Sequence, residues 1–289
     1  MSKVIYFMKI LITGAKGQLG QELVRLSLVF PNGEIVGFDR KKLDVTNLEE
    51  CYTVIHSYKP NAIIHCAAYT KVDQAESEAN LAFRINAEGT RNVALAAEQI
   101  GAKIIYISTD YVFDGKASSP YREDDLPNPL SVYGKSKLVG EQFVRSLCSY
   151  YFIVRTSWIF GRYGHNFVKT MLKLEKERDV IKVVDDQVGS PTYALDLARF
   201  LLKLVRTEHY GIWHASNTGS CSWYEFARAV FEEKRLNVRV EPCTSADFQR
   251  LAPRPAYSVL AHEAIRYYGL EPFRPWREAL RDFLRDNEY

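Results

Sequence analysis

Residues 9–20 read KILITGAKGQLG. The first five form an apolar run with the length and composition of a buried parallel strand. The run stops at Gly14. From Gln18 to Phe30, apolar residues then recur at helical spacing through Leu19, Leu23, Leu26 and Val29. Strand, glycine-rich turn and helix in this order open a βαβ unit. The three glycines have separate tasks. Gly14 permits a tight turn, Gly17 lets backbone amides approach a pyrophosphate, and Gly20 allows close helix–strand packing. The helix aims its first amides at the same anion.

The pattern continues outward. Glu34–Phe38, Ala62–His65, Lys103–Ile107 and Tyr151–Arg155 read as further strands. Leu48–Tyr58, a long stretch Asn80–Ile100, and Ser131–Leu147 read as the intervening helices. Strands alternating with helices imply right-handed crossovers and helices on both faces of a sheet. Beyond residue 156 the alternation loosens. Helices are expected at Phe167–Lys176 and Leu195–Val205, and strands at Ile181–Val184 and Gly211–Ala215. Pro242, Pro253, Pro255, Pro272 and Pro275 punctuate the tail. The predicted architecture is α/β: a Rossmann-type doubly wound parallel sheet with a smaller, mixed C-terminal substrate lobe. The dinucleotide-binding domain takes 8–160 and parts of 180–216. The substrate lobe takes about 161–179 and 217–289, and 1–7 is an N-terminal extension, with Met8 as an alternative start.

The chain has 289 residues and a formal net charge of +3. So small an excess gives no reason to expect a nucleic acid or a membrane surface as partner. No stretch approaches the apolar length of a membrane span. The five cysteines are widely spaced and form no CxxC pair. They suit reduced thiols in a cytoplasmic protein, and no metal site is assigned to them.

Asp39 ends the second strand, 19 residues beyond Gly20. An acid there accepts hydrogen bonds from ribose hydroxyls and favours NAD(H), whereas Arg40 beside it suits the 2′-phosphate of NADP(H). Tyr133 and Lys137, in YGKSK, are four residues apart and share one helix face. A neighbouring ammonium is expected to lower the phenol's pKa. A keto oxygen that gains negative charge on hydride transfer can take the tyrosine proton. Thr109, ending the fourth strand, offers that oxygen a second hydrogen bond. Tyr133, Lys137 and Thr109 are the candidate catalytic group.

From Met8 nearly to its end, the chain resembles the extended short-chain dehydrogenase/reductase family. The resemblance is carried by TGAKGQLG at 13–20, LDVTN at 43–47, HCAAYTKVDQAE at 65–76, INAEGT at 85–90 and STDYVFDG at 108–115. It continues in PLSVYGKSKLVGE at 129–141, RTSWIFG at 155–161, DDQVGSPT at 185–192 and RPAYSVL at 254–260. STDYVFDG with RTSWIFG is similar to the branch that reduces 4-keto sugars linked to dTDP. The resemblance implies reduction of the C4 keto group of dTDP-4-dehydro-L-rhamnose, with NADP(H) favoured over NAD(H). Tyr133 would be the proton donor, Lys137 its partner and ribose ligand, and Thr109 the tuning hydroxyl. Gly17, Gln18 and Leu19 would touch the pyrophosphate, and Asp44 and Val45 would lie along the adenine. Ala67, Ala68, Tyr69 and Thr70 would line the cofactor towards the nicotinamide. Asp110 and Trp158 would contact the sugar, and Arg254 would pair with the diphosphate of the dTDP-sugar.

Some members of the family form homodimers linked by Mg2+ through clustered glutamates. Glu22 matches the first such position, but SPTYALDLA and WREALRDFLRDNEY lack clear further ligands. Two other functions share the scaffold. A nucleotide-sugar dehydratase needs an Asp-Glu pair after the catalytic hydroxyl, where this chain has Asp110-Tyr111; an epimerase would hold NAD tightly. A non-catalytic regulatory subunit need not keep Tyr133 and Lys137, and this chain keeps both.

Overall fold

A computed structural model describes residues 7–286, so the expected extension at 1–7 falls, except for Phe7, outside the described residues. Six parallel strands form the central sheet: β1 (Met8–Thr13), β2 (Gly33–Phe38), β3 (Ala62–His65), β4 (Lys103–Thr109), β5 (Tyr151–Thr156) and a late strand, Gly211–His214. Their spatial order is Gly211–His214, β5, β4, β3, β1, β2. β1 therefore lies between β2 and β3, and the direction of winding reverses there. Such a reversal opens a crevice at the carboxyl ends of the strands, where ligands bind in sheets of this kind.

Alternation along each strand builds two cores. Ile10 and Ile12, Ala62 and Ile64, Ile105, and Phe152 and Val154 face one side. There they meet Leu19 and Leu23 of α1 (Gln18–Arg25), and Leu197 and Leu201 far along the chain. Leu11, Ile63, Ile104, Tyr106 and Ile153 face the other side. α2 (Leu48–Tyr58) covers them with two helices described below. Each fully buried aliphatic side chain contributes about 1.5–3 kcal/mol, which is why parallel strands here are apolar throughout.

Two expected helices are interrupted. α1 ends at Arg25 and tightens into a 3-10 turn at Leu26–Val29. Pro31 holds Phe30 extended, so Leu28 and Val29 are left exposed rather than packed. The single helix expected over 80–100 is a broken path. α3 (Val72–Ser77) and α4 (Ala79–Phe83) lead into a π-turn at Arg84–Glu88, then α5 (Gly89–Gln99). The wider turn re-aims Asn86, whose role appears below. The other crossover helix, α6 (Val132–Leu147), is capped by Ser131, whose hydroxyl accepts from the Gly134 amide at 3.1 Å.

The late segments bring α7 (Phe167–Glu175), α8 (Ala194–Leu204) and α9 (Trp223–Lys234). The strand Val180–Val184 pairs with Arg239–Cys243, not with the central sheet. Val188–Gly189 pairs antiparallel with Cys221–Ser222. The stretch 254–260 runs between them and the sheet domain: Tyr257 bridges to Val188, and Leu260 to Tyr121.

A buried ion pair docks α6 on the sheet. The Arg155 guanidinium donates to Glu141 at 3.0 and 2.8 Å, and Ser108 Oγ donates to the same carboxylate at 2.5 Å. Arg155 and Glu141 are 2% and 4% exposed. Removing one partner strands the other charge. We expect Glu141→Leu to lose about 3–5 kcal/mol in urea unfolding, and Glu141→Leu with Arg155→Met to regain most of it. A single-variant loss below about 1 kcal/mol would show that the pair is not structurally important.

Candidate active site

The glycine turn is built by contact. Gly14 has φ +65°, and a Cβ there would lie 2.6 Å from the Ala67 amide nitrogen. The turn after β1 thus rests directly on the loop after β3. A Cβ on Gly20 would lie 2.5 Å from the Gly14 carbonyl oxygen. Gly20 therefore serves packing of the helix on the turn itself, rather than on the strand as the sequence suggested. Gly17 is the N-cap of α1 and supplies no side-chain cap, which leaves the first amides of α1, at Gln18 and Leu19, for a ligand. The Leu19 side chain enters the core, and the Gln18 amide group bonds Asn166 at 3.0 Å.

A cavity of about 580 Å³ lies beside this turn, lined by Ala15, Lys16, Arg25, Asp39, Lys42 and Tyr163 among others. Asp39 pairs with Lys16 and accepts from the amides of Lys41 and Lys42 at 3.1 and 3.2 Å. The Lys16 ammonium, first among these partners, holds the Asp39 carboxyl below its ordinary range. Arg40 turns away from the cavity to Asp44 at 3.5 Å. Lys16 and Lys42 line the cavity, while Arg40 pairs with Asp44. Lys16 lies inside the glycine turn, at a position the glycine pattern leaves open. Val45 turns its side chain into the core, 6% exposed.

The Ala67–Thr70 loop follows β3 into the crevice. Asn86 clamps it: its side chain accepts from the Tyr69 amide at 2.8 Å and donates to the Tyr69 carbonyl at 3.0 Å. It also donates to Ser136 on α6 at 2.9 Å. Asn86 lies inside INAEGT, yet nothing in a helical pattern marks it, since only the π-turn brings it inward.

Tyr133 and Lys137 share the inward face of α6. The Tyr133 hydroxyl lies beside the Thr109 side chain, and its ring meets Tyr111 edge-on at 5.6 Å. Burial pushes the phenol up to about 12, against the lowering effect of Thr109. The expected lowering by Lys137 is absent, because the ammonium points elsewhere. It donates to the Ile107 carbonyl at 2.7 Å and sits 4.1 Å from the centre of the Tyr106 ring. Burial lowers Lys137 to about 7. In this arrangement Tyr133 is a protonated acid at neutral pH, as a proton donor must be. Thr109 Oγ accepts from the Tyr111 amide at 3.2 Å and donates to Asp110 Oδ1 at 3.0 Å.

Trp158 stands at φ +47°, a left-handed conformation rare outside glycine. Its indole stacks on Trp223 at 3.5 Å with the planes 7° apart. A Cβ on Gly189 would lie 2.6 Å from it. Trp223 follows Ser222, the cap of α9, and no spacing in the sequence links it to Trp158. Arg254 is held by Asp73 through two bonds of 2.9 and 2.8 Å. Asp73, on α3, was not anticipated. Glu22 is buried and accepts from Arg25 at 2.8 Å. Among the described residues, no group of three or more His, Cys, Asp and Glu is placed to hold a metal, and no helix is long and apolar enough to cross a membrane.

The chain is similar to known proteins over its whole described length. The family described as "RmlD substrate binding domain" matches residues 8–288. A spore coat polysaccharide biosynthesis protein, SpsK of Bacillus subtilis, is 45% identical over 96% of this chain and 97% of its own length. A dTDP-4-dehydrorhamnose reductase of Aggregatibacter actinomycetemcomitans is 44% identical over 95% of this chain and 97% of its own. A crystal structure of dTDP-4-dehydrorhamnose reductase from Bacillus anthracis, in complex with NADP, superimposes with a TM-score of 0.95 at 50% identity, covering 97% of this chain and 99% of that one.

Lys137 makes a stability test. Its ammonium titrates near 10.5 when unfolded and about 7 when folded. Folding therefore carries a penalty that is full below pH 7 and fades as the pH rises towards about 10.5. We expect cofactor-free Lys137→Met to melt above the wild type at pH 7, with the gap narrowing by about pH 10. A gap that is absent, or that widens with pH, would contradict the burial argument.

Proposed function

The chain belongs to the RmlD substrate binding domain family, and on that premise we propose that it reduces the C4 keto group of dTDP-4-dehydro-L-rhamnose to give dTDP-L-rhamnose. It is an NAD(P)H-dependent oxidoreductase with a Rossmann-type sheet. One observation carries the reading most directly: a protonated phenol, Tyr133, stands on the face of α6 next to the Thr109 hydroxyl at the crevice end of β4.

The residues at the crevice fit a dinucleotide. The uncapped start of α1 suits its pyrophosphate, and Asp39 suits a ribose hydroxyl. When bound, the reduced nicotinamide supplies the hydride for C4. Tyr133 then gives its proton to the O4 oxygen as charge develops there. Lys137, turned from Ile107 towards the ribose, would hold the cofactor and keep positive charge near the new phenolate. Trp158 offers the deoxysugar a flat apolar wall. Arg254 serves the diphosphate by exchanging Asp73 for a phosphate oxygen.

NADPH is the favoured donor. Lys16 both neutralises Asp39 and lines the cavity beside it, so a 2′-phosphate meets cations rather than a bare carboxylate. We expect Lys16→Ala to weaken NADPH about fivefold more than NADH, a modest effect because the ammonium is exposed. Arg40→Ala should discriminate less. A larger effect at Arg40 than at Lys16, in fluorescence titration of both cofactors, would return the 2′-phosphate to Arg40.

The functional test offers purified protein NADPH with dTDP-4-dehydro-L-rhamnose, or with dTDP-4-keto-6-deoxy-D-glucose, and identifies the product by NMR. The first sugar should be reduced and the cofactor should exchange freely. A preparation that retains NAD and interconverts epimers without net oxidation would instead be an epimerase. Tyr133→Phe should lower kcat by on the order of 10² to 10⁴ with NADPH affinity unchanged. Turnover within twofold of wild type would remove Tyr133 from the chemistry.

A further inference from the structure

We propose that His65 is a positioning residue for the dinucleotide: through Thr13 and Thr90 it joins the glycine turn, the Ala67–Thr70 loop and the π-turn in one directed circuit of hydrogen bonds. The proposal rests on the reading above that the crevice takes NADPH.

His65 is the last residue of β3. Its Nδ1 lies 2.7 Å from Thr13 Oγ at the end of β1, and its Nε2 lies 3.1 Å from Thr90 Oγ on α5. All three residues are buried. Counting protons gives each bond a direction. Thr90 has one hydroxyl proton, which it donates to the Asn86 carbonyl at 2.7 Å. The Thr90 oxygen therefore accepts from His65, and Nε2 carries the hydrogen. In a neutral imidazole Nδ1 is then bare, and it accepts the Thr13 proton. The Thr13 oxygen in turn accepts from the Ala67 amide at 3.2 Å.

The surroundings keep the imidazole neutral. It stacks on the Tyr106 ring at 5.8 Å, with the planes 25° apart. The Lys137 ammonium lies 4.1 Å from the centre of that same tyrosine ring. Burial first, and Lys137 second, depress the imidazole to about 3. Protonation would make both nitrogens donors and reverse the bond to Thr13.

The circuit closes through the loop. Asn86, whose carbonyl ends the run from His65, holds the Tyr69 amide and carbonyl with its side chain at 2.8 and 3.0 Å. The Ala67 amide, where the run begins, lies two residues before Tyr69. Both ends of this stretch are therefore held, and His65 ties one holder to the other. Gly14 packs against the same Ala67 nitrogen, so the turn suited to a pyrophosphate shares this frame. A loop already fixed in its working position loses little freedom when a dinucleotide arrives, and its order is expressed as affinity. Bonds in such a circuit support one another, so a cut at one link loosens the rest.

Two measurements test this. Nitrogen-15 NMR of the cofactor-free wild type should show His65 protonated at Nε2 and bare at Nδ1 from pH 6 to 8. Fluorescence titration with NADPH then compares Thr13→Val, Thr90→Val and the double variant. Each single change should raise the Kd about fivefold to tenfold, and serine at the same position should restore most of the affinity. The double variant should fall short of the product of the two by about threefold or more, because Thr13 and Thr90 meet through the imidazole. In a His65→Leu background, Thr90→Val should add nothing further. Thermal melting checks that each variant is folded. Should His65→Leu fail to fold, the threonine variants decide, and the NMR measurement needs no variant. A ring protonated at Nδ1, single variants with unchanged Kd, or effects that simply multiply would each overturn the proposal. A wild type that does not bind NADPH refutes the cofactor reading instead, and the positioning role with it.

Discussion

The ion pair between Glu141 and Arg155 is the interaction on which the site depends. Tyr133, Lys137 and Glu141 are spaced by four along α6, so phenol, ammonium and carboxylate line one face. Where that face sits is set by its ion-paired member. Glu141 is engaged by Arg155 of β5 and Ser108 of β4. Arg155 reaches on to the Glu123 carbonyl and the edge of His214, and its guanidinium lies 5.1 Å from the Phe113 ring centre. One pair of charges therefore ties α6, two adjacent strands and the 110–123 segment. A hydrophobic contact would hold the helix as firmly but would tolerate sliding along it. A bidentate guanidinium–carboxylate pair fixes rotation and depth together.

Fixed in this way, the helix divides its charged groups by environment. Lys137 is buried against the Tyr106 ring and the Ile107 carbonyl, and its charge is disfavoured there. In the proposed reaction a cofactor ribose would offer hydroxyls that the present surroundings do not, and the ammonium would gain partners there. At the other end of the crevice the charges are open to water. Lys16 is mostly exposed, and Asp39 is satisfied by backbone amides. The proposed cofactor contacts thus lie in a wet, screened region, and the proposed proton chemistry in a dry one, where each hydrogen bond has greater effect.

Much of this was legible in residue order. Apolar runs and their spacing located the sheet strands, and glycines between strand and helix located the tight turn that opens α1. Tyr133 and Lys137 share the inward face of α6 as a four-residue spacing requires, and Tyr133 stands beside Thr109 at the end of β4. What escaped was whatever depends on tertiary meeting. The Asn86 clamp needs a π-turn, which leaves no periodic trace. Asp73 meets Arg254 from opposite parts of the chain. Arg40 and Lys16 are equally basic in sequence, and only the path of the turn puts Lys16 on the cavity and Arg40 beside Asp44. The phenol's upward shift was missed because spacing on a helix face does not say where an ammonium points.

The Trp158 wall was assembled separately from the proton groups. Its flat face is set by a left-handed backbone, by Trp223 stacked behind it and by the bare Cα of Gly189. Both supports lie in late segments, outside the sheet strands and α6 that carry Thr109, Tyr133 and Lys137. A lineage that exchanges residue 189 or 223 tilts or thickens the wall and leaves the acid–base groups as they were. For the proposed reductase the scaffold would in that sense be modular under mutation: sugar preference could drift while the chemical step was inherited unchanged.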